Sequence, residues 1–567
     1  MKNIFKNGIA QCDKLIMGLL IASVVIVPLF FDIRLYSVFD LSKVNALYLI
    51  TISVLAVWSI LIILKKDINF SYTKIDIPIL SFIFIFIIST IVSINPLMSL
   101  FGTYKRFEGL IATLCYILIF YTTVNFITTQ KRLYLLVISI VAGATVSSLY
   151  GIAQHLGFDI FKWSSFEARR VFSTFGNPVF FSAYLVMTLP IAVALFFKNS
   201  FQQKEISILK TPYISWIFFV LSTTIYTTFW LTNTRACFVA LLGGLTPLFF
   251  FIFKKQSAER YKFVVLVVSF VLIGIFFNVR HETSVIKHFA ADIQTTNNPS
   301  SFSYNKEETK SVPSFVKQQP NSRSWIANKL WAGSSTFSRI FQYLAAIEII
   351  KNYPALGIGP DTIGIIYQKS LTKVFSVQER DGCFHFPRQD RIHNDILDTA
   401  VTRGMFGLGT YVWLLTAFGI YIVKNYKRLS SQNKMLILGL LAGIICYLIQ
   451  NEFSFGNTPI ATLFWVMMGL CISIIKINAA EGILRSNNTN SRTEGCWDDE
   501  KLRDYKSKKS RNTQLLKFPT SHLRIFYRWL GCGIVLIALG FVTIFVLRFY
   551  RADAYFEYGR RILDYER

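Results

Sequence analysis

About thirteen stretches of this sequence are apolar over the length that a membrane span requires, roughly 20 residues for a helix. They lie near 15–31, 44–64, 76–94, 109–128, 133–154, 178–197, 213–231, 236–253, 263–279, 404–423, 435–450, 458–475 and 529–547. Their interiors carry almost no ionisable side chains, which are costly inside a bilayer. The pattern predicts an all-α, polytopic membrane bundle of about 12–13 transmembrane helices. The first run is interpreted as a spanning helix and not as a cleaved signal.

The composition agrees with this architecture. Of the 567 residues, 53% are hydrophobic, and Phe alone contributes 53. The net charge of +27 could indicate a nucleic-acid partner, but the basic residues stand in short tracts between apolar runs, as they do in membrane proteins. We therefore expect membrane lipids as partners and no nucleic acid. The eight cysteines are scattered singly, so neither a disulfide framework nor a zinc site is predicted.

Basic tracts recur in alternate loops, which predicts the orientation of the chain. Loops rich in Lys and Arg face the cytoplasm by the positive-inside rule. They lie at 2–14, 65–74, 131–132, 198–210, 254–262, 424–434 and 476–528. The outward segments are then 95–108, 155–177, 232–235, 280–403 and 451–457. This alternation places the N-terminus inside and the last residues outside.

The same pattern divides the chain into six regions. They are an N-terminal bundle of about nine spans at 1–279, a large outer loop at 280–403, spans ten to twelve at 404–477, a basic cytoplasmic segment at 478–528, an extra span at 529–548 and an outer tail at 549–567. The basic segment is predicted to be flexible. The tail resembles the first helix of a tetratricopeptide-like repeat, although one copy shows no period.

Two parts of the large outer loop differ in character. The stretch 295–321 is rich in Ser, Asn, Gln and Lys, and we expect it to be flexible. The stretch Phe337–Asn352 is predicted to be an amphipathic helix that ends before Pro354 and lies on the membrane surface or on the bundle. Its predicted apolar face consists of Ile340, Phe341, Leu344 and Ile347.

Several basic residues stand at the outer ends of spans, where the orientation rule expects few. They are Lys105, Arg106, Arg169, Arg170, Arg235, Arg339, Arg388, Arg391 and Arg403, with His393 in the same large loop. For a single such Arg, an interfacial lipid phosphate is the better explanation. Several of them with a His predict a site for an anionic substrate, because the guanidinium fork matches phosphate oxygens.

The surroundings of His393 favour a catalytic role over that of a surface residue. Asp395 and Asp398 follow closely in the chain, and either carboxylate could orient the imidazole. His385 and Asp390 in the same loop are alternatives that the sequence leaves open.

Two blocks of the large loop resemble the O-antigen ligase and polymerase superfamily. The first comprises Phe337–Arg339, Glu348 and Asn352–Gly359, and the second comprises His393–Leu397 and Arg403–Leu408. Supporting blocks are Gly102–Gly109, Phe175–Pro178 and Asn233–Arg235. The resemblance covers roughly 15–475. One departure is Arg403, where members of the family often have Glu, so the acceptor preference is expected to differ.

The resemblance implies a fold and an activity. The fold is a GT-C-like membrane bundle with a large periplasmic loop, in the bacterial inner membrane. The activity moves a glycan from a polyprenyl (undecaprenyl) diphosphate to an acceptor hydroxyl, with inversion and without a metal or another cofactor. Acceptors of such enzymes are lipid A–core sugar, a growing polysaccharide or a protein.

The resemblance also assigns roles to individual residues. It implies that Arg235 and Arg339 hold the diphosphate and that His393 is the general base, so these three are the predicted catalytic residues. It makes Asp395 the residue that orients His393. The further predicted contacts with the diphosphate or glycan are Lys105, Arg106, Arg170, Asn177, Arg391 and Asp395 itself.

Other functions remain open from the sequence. An O-antigen or exopolysaccharide polymerase would use the same donor and differ only in its acceptor. A different class, an inner-membrane anion transporter, would place charged groups near the bilayer midplane, often in inverted repeats. A lipid flippase would require a polar cavity through the membrane. The clustering of Arg and His outside the spans favours chemistry at the membrane surface.

Overall fold

The computed structural model describes residues 2–65, 72–161, 163, 170–197, 213–255, 260–279, 335–375, 389–493 and 521–565. Within these ranges it contains sixteen α-helices, one short 3₁₀ turn (Ser173–Phe175) and no strand. The predicted all-α class is confirmed. Arg169, His385, Arg388 and the stretch 295–321 lie outside the described residues.

Ten of the helices come before the large loop. They are α1 (Lys2–Leu29), α2 (Asp40–Lys65), α3 (Asp76–Ile91), α4 (Pro96–Phe101), α5 (Leu110–Phe126), α6 (Gln130–His155), α7 (Pro178–Phe196), α8 (Tyr213–Leu231), α9 (Arg235–Lys255) and α10 (Arg260–Val279). The other six are α11 (Ser335–Asn352), α12 (Ile363–Phe375), α13 (Asp395–Tyr426), α14 (Ser431–Asn451), α15 (Thr458–Thr493) and α16 (Ser521–Tyr565).

Eleven of these helices are long and apolar enough to cross a membrane. Two shorter apolar helices, α3 with 16 residues and α5 with 17, account for the other two predicted spans. The chain is a multi-pass membrane protein, with one helix for each apolar run of the sequence. The longest, α16, continues without a break from the predicted extra span into the predicted tail. Helix also extends into both ends of the basic segment predicted to be flexible, because α15 reaches Thr493 and α16 begins at Ser521.

Two spans form the centre of the bundle. The apolar window of α7 is 94% buried within the protein, and so is that of Thr458–Gly482 in α15. Helix α14 packs against α7 and α9, and α15 packs against α5. The window of α16, by contrast, is only 6% buried, and that helix packs on α2 at the edge of the bundle. Apolar side chains on its other faces are left for lipid.

Segments predicted to share a side of the membrane meet in the structure. On the predicted inner side, Lys65 and Arg132 both pair with Asp13, at 3.4 and 3.8 Å. On the predicted outer side, the N–H of Ile94 donates to the carbonyl of Ile358 at 3.0 Å. These contacts support the alternation of loops along the chain. The assignment of the second group to the periplasm remains a prediction.

The predicted amphipathic helix is present as α11, but its buried face differs from the predicted one. Phe341, Ala345 and Ile349 are buried in a small core with α12 and the start of α13. The small side chain of Ala345 lets the helix approach its neighbours closely. Of the predicted apolar face only Phe341 is buried, since Ile340 and Ile347 are 44% and 46% exposed.

Candidate active site

The two sequence blocks of the large loop pair with each other through their backbones. The N–H groups of Ile358 and Gly359 donate to the carbonyls of Val401 and Thr402, at 3.0 and 2.9 Å. The hydroxyl of Ser89 on α3 donates to the carbonyl of Leu356 in the first block and to that of Thr402, which directly precedes Arg403 of the second. The blocks are thus one structural unit, fixed to the membrane bundle by a buried serine.

Two glycines make this close approach possible. Gly357 and Gly404 both have positive φ, at 69° and 67°. A Cβ on Gly404 would lie 2.1 Å from the carbonyl oxygen of Ala355, and one on Gly357 would lie 2.5 Å from that of Val401. Gly404 also interrupts the helical dihedrals of α13. Only glycine fits at these two positions.

His393 occupies the turn that leads into α13. Its φ is 54°, a left-handed conformation that is costly for a side chain of this size and is often found at functional sites. Asn394 stabilises the turn, since its Oδ1 accepts a hydrogen bond from the N–H of Leu397 at 2.9 Å and its amide donates to Glu452. The imidazole packs against Phe455, with ring centroids 5.1 Å apart.

The environment of His393 favours its neutral form. Burial lowers its pKa, and the positive charges of Arg339 and Arg106 lower it further, to about 4. The carboxyl groups of Asp390 and Asp398 act in the opposite direction. A neutral imidazole can accept a proton, so His393 has the protonation state that a general base requires.

Arg339 lies near this histidine, and Arg235, from a remote part of the chain, lies near Arg339. Arg339, on α11, donates to the carbonyl of Phe453 at 3.0 Å and lies over the ring of that residue. Burial lowers the pKa of Arg339, and the nearby charge of Arg235 lowers it further. Arg235 is the first residue of α9. Two guanidinium groups that lie close to each other are suited to share one anion.

Arg106 belongs to the same cluster. Its Nε donates to Asp390 at 2.6 Å and its guanidinium lies 4.4 Å from the centroid of the Phe455 ring. Phe455 therefore contacts both Arg106 and His393. Of the predicted residues, Arg106 and Arg339 lie near His393, and Arg235 lies near Arg339. Their roles remain proposals.

Arg391, a predicted substrate contact, has buried partners of its own. It forms ion pairs with Asp361 and Asp398, both at 2.9 Å, and is only 7% exposed. The surrounding carboxylates outweigh burial and raise its pKa. Because its charge is already balanced inside the protein, Arg391 holds the loop together, and its contact with the substrate stays a prediction.

Four other predicted contacts also have neighbours other than His393. Arg170 donates to Thr232 and Thr234 at 3.0 and 3.1 Å and so supports the turn before Arg235. Lys105 is exposed, with its ammonium over the ring of Tyr36. These two residues lie at the rim of the cluster.

The last two of the four have local partners. Asn177 caps α7, since its Oδ1 accepts a hydrogen bond from the N–H of Val179 at 2.8 Å. Asp395 accepts a hydrogen bond from Tyr411 at 2.8 Å. The carboxyl groups that raise the pKa of His393 are those of Asp390 and Asp398. The orientation of the imidazole by Asp395 stays a prediction.

The sequence reasoning missed the contribution of the short outer segment 451–457. This segment supplies Phe455, the carbonyl of Phe453 that receives Arg339, and the carboxyl of Glu452 that receives Asn394. The alternation of loops had placed the segment on the outer side. Two aromatic residues in so short an outer turn could have marked it as part of the site.

The comparison with protein families identifies the segment that contains these residues. The family model described as O-Antigen ligase matches residues 217–412, a range that includes Arg235, Arg339 and His393. No curated protein matches the chain. The match confirms the expected resemblance to the O-antigen ligase superfamily over residues 217–412.

Proposed function

We propose that this protein transfers a glycan from a polyprenyl diphosphate, such as undecaprenyl diphosphate, to an acceptor hydroxyl. The reaction takes place at the periplasmic face of the bacterial inner membrane, with the N-terminus of the chain in the cytoplasm. The observation that carries the proposal is the cluster in which Arg339 and Arg106 lie close enough to His393 to lower its pKa, with Arg235 beside Arg339.

The chemistry follows from the charges of this cluster. A glycosyl diphosphate is already activated, so the protein has to bind it, stabilise its departure and accept one proton. The acceptor oxygen bonds to the anomeric carbon while the bond from that carbon to the diphosphate oxygen breaks. His393 takes the proton of the acceptor hydroxyl. Direct attack of this kind inverts the anomeric centre.

The arginines act on the leaving diphosphate. Negative charge grows on its bridging oxygen as the bond breaks, and Arg235 and Arg339 stabilise that charge. Charge-assisted hydrogen bonds from guanidinium to phosphate are about twice as strong as neutral ones. Arg106 lies nearest to Phe455 and contacts the diphosphate or the first sugar.

The acceptor is the sugar of a lipid A–core, a growing polysaccharide or a protein side chain. An enzyme of the ligase type and one of the polymerase type would share the donor chemistry described above, because both begin from the same lipid-linked glycan.

The test is glycan transfer in proteoliposomes that contain purified protein, a lipid-linked glycan donor and an acceptor lipid. His393→Ala should lower the rate of transfer by roughly 10²–10⁴-fold, and Arg339→Ala by roughly 10²–10³-fold. Asp13→Asn, at the other end of the bundle, should transfer normally. Near-normal transfer by both site variants, with intact thermal unfolding, would contradict the proposal.

A further inference from the structure

A cavity adjoins the candidate active site, and Phe455 stands between the two. The ring of Phe455 packs against His393 on the active-site side and also lines a cavity of about 110 Å³. Helices α3, α5, α13, α14 and α15 all contribute to its wall. The volume exceeds what a single water molecule occupies, which is roughly 10–15 Å³ by the same measure.

The apolar part of the cavity wall is largely aromatic. Tyr411, Tyr447, Phe464 and Trp465 all line it, and the rings of Tyr447 and Phe464 stack at 4.4 Å. Flat aromatic faces of this kind suit a ligand that is itself a flat ring with C–H bonds on its faces.

The polar groups in the wall have hydrogen-bonding capacity that the protein leaves unused. The carboxyl of Glu108 accepts from Tyr116 at 3.0 Å, and that of Asp395 accepts from Tyr411 at 2.8 Å. A carboxylate has about four acceptor positions, so both can accept more. Nε of Arg403 has no hydrogen-bond partner among the described residues, although it is buried.

The charges of the wall point to a neutral ligand. The two arginines that line the cavity are Arg391, paired with Asp398, and Arg403, which lies 4.8 Å over the ring of Phe86. The carboxyl groups of Glu108 and Asp395 face the same space. Arg235, Arg339 and Arg106, the groups proposed for the diphosphate, do not line it. An anion would meet these carboxyl groups, whereas a ring edged with hydroxyls would satisfy them.

We propose that this cavity binds one neutral sugar ring of the substrates, with its faces on Trp465 and Tyr411. Glu108 and Asp395 accept its hydroxyls, and Arg403 donates to one of its oxygens. The inference rests on the proposed function for the identity of the substrates, and it adds a second binding site behind Phe455. The ring belongs either to the acceptor or to the donor glycan.

The test is direct binding of free hexoses and N-acetylhexosamines to the purified protein, measured by saturation-transfer NMR. At least one of these sugars should bind saturably to the wild type. Asp395→Asn and Trp465→Phe should each weaken that binding by about tenfold, since each removes a contact to a buried ligand. Asp13→Asn, which makes the same change at the other end of the bundle, should bind normally. Unfolding curves identify any variant that fails to fold. Tyr447→Phe, another change in the cavity wall, is then tested in place of that variant.

Two further measurements separate this inference from the proposed function. Arg339→Ala should lose transfer but keep its affinity for the free sugar, because Arg339 does not line the cavity. In transfer assays Asp395→Asn should raise KM for the substrate whose ring occupies the cavity, either acceptor or donor. Failure of every sugar to bind the folded wild type, or binding that is insensitive to Asp395→Asn and Trp465→Phe, would overturn the inference. Binding without any transfer would instead contradict the proposed function alone.

Discussion

The imidazole of His393 is held neutral by its position, and its protonation is therefore coupled to binding of the donor. Burial and two guanidinium groups lower its pKa to about 4, which makes it a weak base before a substrate arrives. A bound diphosphate would neutralise Arg339 and Arg106 and remove part of that effect. The pKa of His393 should therefore rise when the donor binds, and by thermodynamic linkage a lower pH should favour donor binding.

This coupling predicts two different acid limbs in the pH profile. Activity requires neutral His393 and falls as the pH drops through its pKa. The limb of kcat/KM reports the free enzyme and should lie near 4, while the limb of kcat reports the complex and should lie at higher pH. Steady-state transfer measured across the acid range tests this. Coincident limbs, or the same limb retained by His393→Ala, would contradict it.

Arg391 and Arg106 are both loop arginines in the sequence, yet they differ in burial and in their ion-pair partners in the structure. Arg391 is buried between Asp361 and Asp398, whereas Arg106 is partly exposed beside Asp390. The difference could not be predicted from the sequence. Asp361 lies 30 residues before Arg391 in the chain, and the fold brings the two side chains together.

Loss of Arg391 should therefore affect stability more than binding. Arg391→Gln leaves two carboxyl groups buried without their cation, which costs about 3–5 kcal/mol when a buried pair is broken. Arg132→Gln, which disturbs a partly exposed pair at the other end of the bundle, should cost less, about 1 kcal/mol. Unfolding in detergent measures both. Equal stability of the two variants would show that the buried network is not structural.

At the scale of elements, the pairing of the two loop blocks positions His393 relative to α11 and its Arg339. Both blocks could be recognised from the sequence, and the helix predicted in the first was present. Their direct contact was not predictable, since it depends on backbone hydrogen bonds between residues 358–359 and 401–402, which are far apart in the chain.

Replacement of Gly404 should break this contact. A Cβ at this position would lie 2.1 Å from the carbonyl oxygen of Ala355, and the φ of 67° is itself unfavourable for alanine. Gly404→Ala should lower the free energy of unfolding by about 1–3 kcal/mol and reduce transfer. Gly409→Ala in the same helix has open space around the new Cβ and should be neutral or slightly stabilising. A stable, active Gly404→Ala variant would contradict the account of the pairing.

The C-terminal helix α16 supports the loop that carries Arg106. A carboxylate oxygen of Asp553 accepts hydrogen bonds from the N–H groups of Tyr36 and Ser37 at 2.9 and 3.3 Å, and the other accepts one from the hydroxyl of Tyr104. Tyr104 lies two residues before Arg106. The contact joins the segment beyond the family match to the candidate site.

Asp553→Ala should loosen this loop without unfolding the bundle. Hydrogen exchange should increase in the backbone of 32–38 and 103–107, because three hydrogen bonds are lost. The exposed neighbour Tyr558→Ala should leave exchange in those segments unchanged. If exchange increases equally in both variants, α16 has no specific role in positioning the loop.

At the scale of the whole molecule, most of the architecture could be predicted, because apolar length and the distribution of basic residues are properties of the linear sequence. Each predicted span corresponds to a helix. Contacts also join segments that were predicted to lie on the same side of the membrane. Which arginines form buried ion pairs and which remain available to a ligand was less predictable, because it depends on which carboxylates the fold brings near them. The role of Phe455 and the cavity behind it could not be predicted from the sequence, since the residues that line the cavity come from five different helices.

The central claim is that arginines from distant parts of the chain bind one diphosphate beside His393. Binding of undecaprenyl diphosphate to the purified protein, measured without any acceptor, tests it most directly. Arg235→Gln and Arg339→Gln should each weaken binding by about 10–100-fold, as expected for loss of a charged hydrogen bond. His393→Ala should bind the lipid normally or slightly better. Unchanged affinity in both arginine variants, or a loss confined to His393→Ala, would contradict the account.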